Sequence, residues 1–215
     1  MSLACRVFGL MTALLAAGCA SIPETRFYTL SVPEGPSEAL PRDSSVPIFI
    51  DVLPVNVPER LARPQLVVRS SGSGSETQLL ILEQDRWSSP FNYELRDAFA
   101  TGIADRTGAV NEARGTYPPD QPGYRIAIEL SQFDAIVGER VQARFSWTIT
   151  RSTDGRSAAC YATFTEPVSG GVEGVVKGAQ RAVASAVADI SGNLIELDTS
   201  NVAVCAPAKQ LMDMY

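Results

Sequence analysis

From Val141 to Thr150 apolar and polar residues alternate without a fault: Val141, Ala143, Phe145, Trp147 and Ile149 against Gln142, Arg144, Ser146, Thr148 and Thr150. A period of two marks a strand with one apolar face, and such a strand commits the chain to covering that face. The neighbouring segments obey the same rule. Ile126, Ile128 and Leu130 alternate, then the phase slips at Ser131-Gln132 before Phe133, which predicts a bulge. Gly138-Glu139 and Thr153-Asp154-Gly155-Arg156 supply turns, and Cys160, Ala162 and Phe164 continue the inner face. The expectation is a three-strand antiparallel meander whose other face is solvated.

Two segments have the period that could cover it. Phe91, Leu95, Phe99 and Ile103 recur at i, i+4 behind Ser89-Pro90, with Gly108 as the stop. Ser89 is expected to cap this helix and Pro90 to open its first turn. Val172, Val176, Ala179, Val183, Val187, Ile190 and Leu194 form a second stripe, either a helix packing on the sheet or a coiled-coil seam. Gly174, Gly178, Ala182 and Ala186 would let it approach closely. Before the meander, residues 26–32 and 48–53 read as strands, 33–47 as a surface loop, and 65–69 and 78–83 as a hairpin around SSGSGSET. The predicted class is α+β: a mostly antiparallel sheet with two helices packed on one face.

The front of the chain is an export signal. Arg6 precedes an apolar run, residues 7–17, that is too short to span a bilayer. The run ends in Leu15-Ala16-Ala17-Gly18-Cys19, which resembles the bacterial lipobox, with Ala16 where leucine is usual. That resemblance makes residues 1–18 a lipoprotein signal peptide and Cys19 the acylated new N-terminus. Residues 19–26 become a lipidated tether, 27–198 a single α+β domain and 199–215 a C-terminal tail. Ala20 after the cysteine, rather than Asp, implies sorting to the outer membrane of a Gram-negative cell, on its periplasmic face. Seven residues lie between Cys19 and Phe27, a reach of at most roughly 25 Å. The folded part is therefore held near its membrane.

Composition narrows the chemistry. Formal charge is −6, and −7 once Arg6 leaves with the signal. There is no Lys/Arg run, so nothing suits nucleic acid. With no histidine in the chain, Ser-His-Asp and Cys-His pairs and the commonest zinc ligands are absent. The acids Asp51, Glu94, Asp97, Glu129 and Asp134 show no pairing signature and read as solvated surface. No catalytic residue, metal ligand or cofactor is expected, apart from acyl chains on Cys19. With Cys5 lost and Cys19 acylated, Cys160 and Cys205 remain. In an exported chain they are either a disulfide or two separate buried thiols. A bridge would close about 45 residues, stabilise by roughly 4 kcal/mol, and pin the tail.

Residues 52–69, VLPVNVPERLARPQLVVR, are less transparent. Pro54, Pro58 and Pro64 mark a strand exit and an extended crossing, but they do not explain Arg60, Arg63 and Gln65. Val-x-Val-Pro-x-x-Leu-x-Arg-Pro-Gln-Leu-Val, from Val55 to Val67, resembles the signature of the ABC-type transport auxiliary lipoproteins, the PqiC-like family. FYTL at residues 27–30, Arg86-Trp87 before Pro90, Leu130-x-x-Phe133 and the Ala/Val-rich last helix follow in the family's order.

The resemblance implies a fold similar to the TolB N-terminal domain. It also implies an accessory or docking role in an MCE-type ABC lipid transport system between inner and outer membranes. The implied partners are an MCE-domain periplasmic protein, through it an inner-membrane permease and ATPase, and phospholipid as cargo. Analogy with a ring-shaped MCE partner suggests a homo-oligomeric ring. The alternative is a lipoprotein that docks on and regulates another envelope machine, such as a peptidoglycan synthase. The expected partner surface is Pro58, Arg60, Leu61, Arg63, Pro64 and Gln65 with Trp87. The competing expectation is structural, with Trp87 packed under the crossing and Arg63 paired with Glu83 or Asp85.

Overall fold

The computed structural model describes residues 23–31, 47–69, 78–112 and 121–205. The expected signal peptide, Cys19, most of the expected 33–47 loop, residues 70–77 and 113–120, and the end of the expected tail lie outside the described residues. In chain order the elements are β1 (Arg26–Tyr28), β2 (Phe49–Val52), a 3-10 turn (Glu59–Leu61), β3 (Gln65–Arg69) and β4 (Leu79–Trp87). Then follow α1 (Phe91–Thr107), β5 (Val110–Asn111), β6 (Gly123–Ile136), β7 (Arg140–Arg151), β8 (Ser157–Pro167) and α2 (Val172–Ser200).

The meander forms as its alternation requires. β6, β7 and β8 pair antiparallel, Leu130 facing Phe145 and Trp147 facing Cys160. The ladder slips between Leu130 and Gln132, where the sequence changes phase. Gly138 and Gly155 take the turns at φ 75° and 72°, a region closed to most side chains. The other edge of β6 is shared in series. β2 runs parallel to its first half, Phe49 beside Gly123 and Val52 beside Ile126, with one more bridge at Asn56 and Glu129. β3 touches only its end, Arg69 beside Ile136. The crossing bows out between those two contacts. β3 and β4 form the expected hairpin, with β1 parallel to β4 at its edge. The eight-stranded sheet is therefore mixed, with the long antiparallel meander as its larger part.

Both helices cover the inner face. Phe99 of α1 meets Phe145 edge to face at 5.3 Å, and Leu95, Ile103, Ala186, Ile190 and Leu194 are fully enclosed. The second apolar stripe thus serves packing on the sheet. Its small residues set the spacing: a Cβ on Gly178 would lie 2.7 Å from a Val168 methyl, and one on Gly174 2.2 Å from the Ser169 carbonyl oxygen. α2 runs on to Ser200, where Asn201 ends it with φ 61°.

Two local expectations are corrected. The first strand stops at Tyr28, because Thr29 and Leu30 turn inward to a carboxylate described below. Ser89 does not cap α1; Pro90 stands at the cap position and the serine hydroxyl goes to the same carboxylate.

Candidate functional site

Pro58, at φ −53° and ψ 138°, leads an extended chain into the 3-10 turn. The Leu61 amide donates to the Pro58 carbonyl at 2.8 Å, and the Ala62 amide to that of Glu59 at 3.1 Å. This turn drives Leu61 into the core, 4% exposed, and leaves Glu59 and Arg60 outside. The crossing then finishes two neighbours. The Arg63 carbonyl accepts from the Phe91 amide at 3.3 Å, and the Pro64 carbonyl from the Trp87 amide at 2.6 Å. Helix α1 thus gains for its first amide a partner it cannot supply itself.

The strand end that the crossing finishes begins an aromatic stack. Trp87, 3% exposed, stacks on Phe91 at 5.2 Å, and Phe91 meets Phe133 edge-on at 5.2 Å. The seven residues singled out in the sequence are therefore one assembly with two layers. Leu61 and Trp87 form the buried footing. Pro58, Arg63, Pro64 and Gln65 are half-buried above it, and Arg60 is exposed.

Arg63 pairs with neither of the acids expected for it. Glu83 accepts from Gln65 and Arg86, both at 3.3 Å. Asp85 holds Arg26 at 2.8 Å and the Tyr28 hydroxyl at 3.0 Å. The Nε of Arg63 is buried without a hydrogen-bond partner. Arg60 likewise has no ion-pair partner among the described residues.

One group beside the crossing is invisible to sequence reasoning. Glu94 is 6% exposed, and Asp51 7%, so neither is the solvated acid expected. The Glu94 carboxylate accepts from Ser88 Oγ at 2.5 Å, Ser89 Oγ at 3.0 Å, Thr29 Oγ1 at 3.1 Å and the Leu30 amide at 3.1 Å. Burial alone would raise its pKa; the donors, Ser88 foremost, outweigh that and hold it below the ordinary glutamate value. Four donors from two strand ends converge on one side chain, so this is a clamp joining β1 to α1.

Its lowered folded pKa places its contribution above the unfolded value of about 4.3, and that contribution is lost as pH falls through the folded one. Glu94→Gln keeps the shape but turns an NH2 toward donors. Denaturation should show a loss of about 1–3 kcal/mol at pH 7 and a flatter stability profile below pH 5 than the parent. An unchanged midpoint at pH 7 would contradict the clamp.

Elsewhere the tail closes on the sheet. Cys160 and Cys205 are joined, with Cα atoms 5.5 Å apart. Asn193 accepts from Trp147 Nε1 at 3.0 Å and donates to the Val204 carbonyl at 3.0 Å. On the outward face of the meander a shallow depression of about 440 Å³ is lined by Pro54, Asn56, Glu129, Ser146 and Tyr161, among others. Among the described residues no three His, Cys, Asp or Glu side chains gather to hold a metal. No helix there is long and apolar enough to cross a membrane.

The family model described as ABC-type transport auxiliary lipoprotein component matches residues 28–191. No curated protein matches the sequence significantly. Two crystal structures share the fold. One is of an uncharacterised protein, 18% identical, with TM-score 0.60 over 79% of this chain and 97% of that one. The other is of a Xanthomonas campestris protein of the DUF330 family, 16% identical, with TM-score 0.60 over 82% and 98%.

Proposed function

The chain belongs to the ABC-type transport auxiliary lipoprotein family, and from that premise we propose that it is the outer-membrane docking subunit of an MCE-type lipid transporter. Membership carries an accessory role in ABC-type transport. The finer reading has three parts. Acyl chains on Cys19 hold the protein to the periplasmic face of the outer membrane. An MCE-domain protein, linked to an inner-membrane permease and ATPase, meets it there. Phospholipid passes along that route, with a ring of several copies matching the MCE assembly.

The observation that carries the docking role is the state of the crossing. Two arginines stand on a segment stapled to the core by Leu61 and Trp87, and neither has an acid partner among the described residues. Arg60 is exposed and Arg63 is half-buried with its Nε unpaired, and cations left without an internal acid suit a partner's carboxylates. The short tether supports the direction of approach, since the partner must come to the membrane.

The test is crosslinking in cells with C-terminally tagged full-length protein. Capture of an MCE-domain protein should depend on Cys19. Arg60→Ala with Arg63→Ala should weaken capture about tenfold or more if each costs over 1 kcal/mol at the interface, with the fold intact. Undiminished capture by the folded double variant would remove the crossing from the interface. Capture of a peptidoglycan synthase and no MCE protein would replace the transport reading with the alternative.

A further inference from the structure

The β3–β4 hairpin carries an apolar end that the fold does not cover. Leu79, Leu80 and Ile81 are 41%, 38% and 46% exposed, although the cross-strand partners of Leu80 and Ile81, Val68 and Val67, are buried. Successive strand residues face opposite ways, so both faces of β4 are apolar and open here. One exposed leucine needs no explanation, but Leu79 and Ile81 on one face with Leu80 on the other leave this strand end apolar on both sides. Leu82 continues the uncharged run. The charge nearest on β3, Arg69, is already neutralised by Asp134 at 2.9 Å.

The direction of β1 says from which end the anchored chain arrives. β1 is parallel to β4, Arg26 beside Asp85 and Tyr28 beside Trp87. The chain before it therefore approaches from the Leu79 end, and Thr25 already bonds Gln84, one step that way, at 3.1 Å. Asp85 to Leu79 is six residues, about 20 Å along a strand. Cys19 to Arg26 is seven, with a reach of at most about 25 Å. Residues 23–25 lead toward the apolar end, and seven residues are length enough for Cys19 to reach it.

We propose that Leu79, Leu80 and Ile81 form a second membrane contact, lying in the headgroup–acyl boundary of the bilayer that holds Cys19. The inference rests on the lipid-anchored reading above. It gives the protein two-point attachment and hence a fixed orientation. Trp87, eight residues further along β4, then stands about 25 Å from the apolar end, which lifts the crossing off the lipid and toward a periplasmic partner.

The two native tryptophans, Trp87 and Trp147, are both buried, so an added one can report on its surroundings. The full chain carrying Leu80→Trp, purified with its acyl group, is placed in phosphatidylethanolamine/phosphatidylglycerol vesicles whose acyl chains are partly brominated. Ile81→Trp gives a second reading from the opposite face of the strand, and Tyr161→Trp on the outward face of β8 is the control. Loss of emission at residue 80 or 81, beyond any loss at 161, is the expected result. Emission at both hairpin positions as unquenched as at 161, on protein that floats with the vesicles, overturns the membrane contact and leaves the anchor standing. Mass analysis showing no acyl group on Cys19 overturns both. Quenching at 80 and 81 that an added MCE partner leaves in place keeps lipid, rather than that partner, as the occupant.

Discussion

Replacing Cys160 and Cys205 together by alanine is expected to lower the stability of the folded domain by about 4 kcal/mol, the loop-closure value for a 45-residue separation. The bridge joins β8 to the residues after α2, so the closed loop contains the whole second helix. Most of its effect lies in the unfolded chain, which the bridge denies the freedom to separate those ends. In the folded state the tail has other holds: Asn193 donates to the Val204 carbonyl at 3.0 Å, and the Val204 amide donates to Glu196 at 2.8 Å. The body should therefore fold without the bridge, while residues 201–205 exchange their amide hydrogens faster. Urea denaturation and hydrogen exchange on the double variant check both parts. A fall of on the order of 10 °C in Tm is the thermal counterpart for a domain of this size. An unchanged midpoint would mean that the reduced, unfolded chain is already compact between these positions.

The parts of this fold that the sequence announces are those governed by one local period. The β6–β7–β8 meander follows from residues 126–164, and its bulge from the slip at Ser131-Gln132, because alternation and its faults are written in consecutive side chains. The small residues of α2 could be read for the same reason: only Gly fits at 174 and 178, and the stripe repeats every turn. Pairing between distant strands is different. β2 and β3 share one edge of β6 in parallel, and nothing in either segment names that neighbour. Nor could the fate of Glu94 be read. Its four donors come from residues 29–30 and 88–89, and an acid four places into an amphipathic helix looks like any exposed one. The crossing was half legible. Its motif marks seven residues, but the division into a buried footing, a half-buried Arg63 and an exposed Arg60 depends on the 3-10 turn. The bulge between β3 and β4 at Gln65/Leu66 likewise decides which side of β4 faces in at Trp87.

That division makes Trp87 the position where structure and docking should fail together. Trp87→Ala is expected to cost about 3–5 kcal/mol, as for other fully buried aromatic truncations. The cavity would open beside Phe91, and the stack at 5.2 Å would be lost. The Pro64 carbonyl would keep its backbone donor, but the buried stack next to that anchor would be gone. Partner capture should therefore fall along with stability. Trp87→Phe keeps a ring to stack on Phe91 and should retain most of both. Arg60→Ala separates the two effects in the other direction, since an exposed side chain can be removed with little change in stability while capture declines. Thermal denaturation and crosslinking on the three variants give the pattern. If Trp87→Ala kept its Tm but lost capture, the indole would be touching the partner directly, and the buried footing would be the wrong account of it.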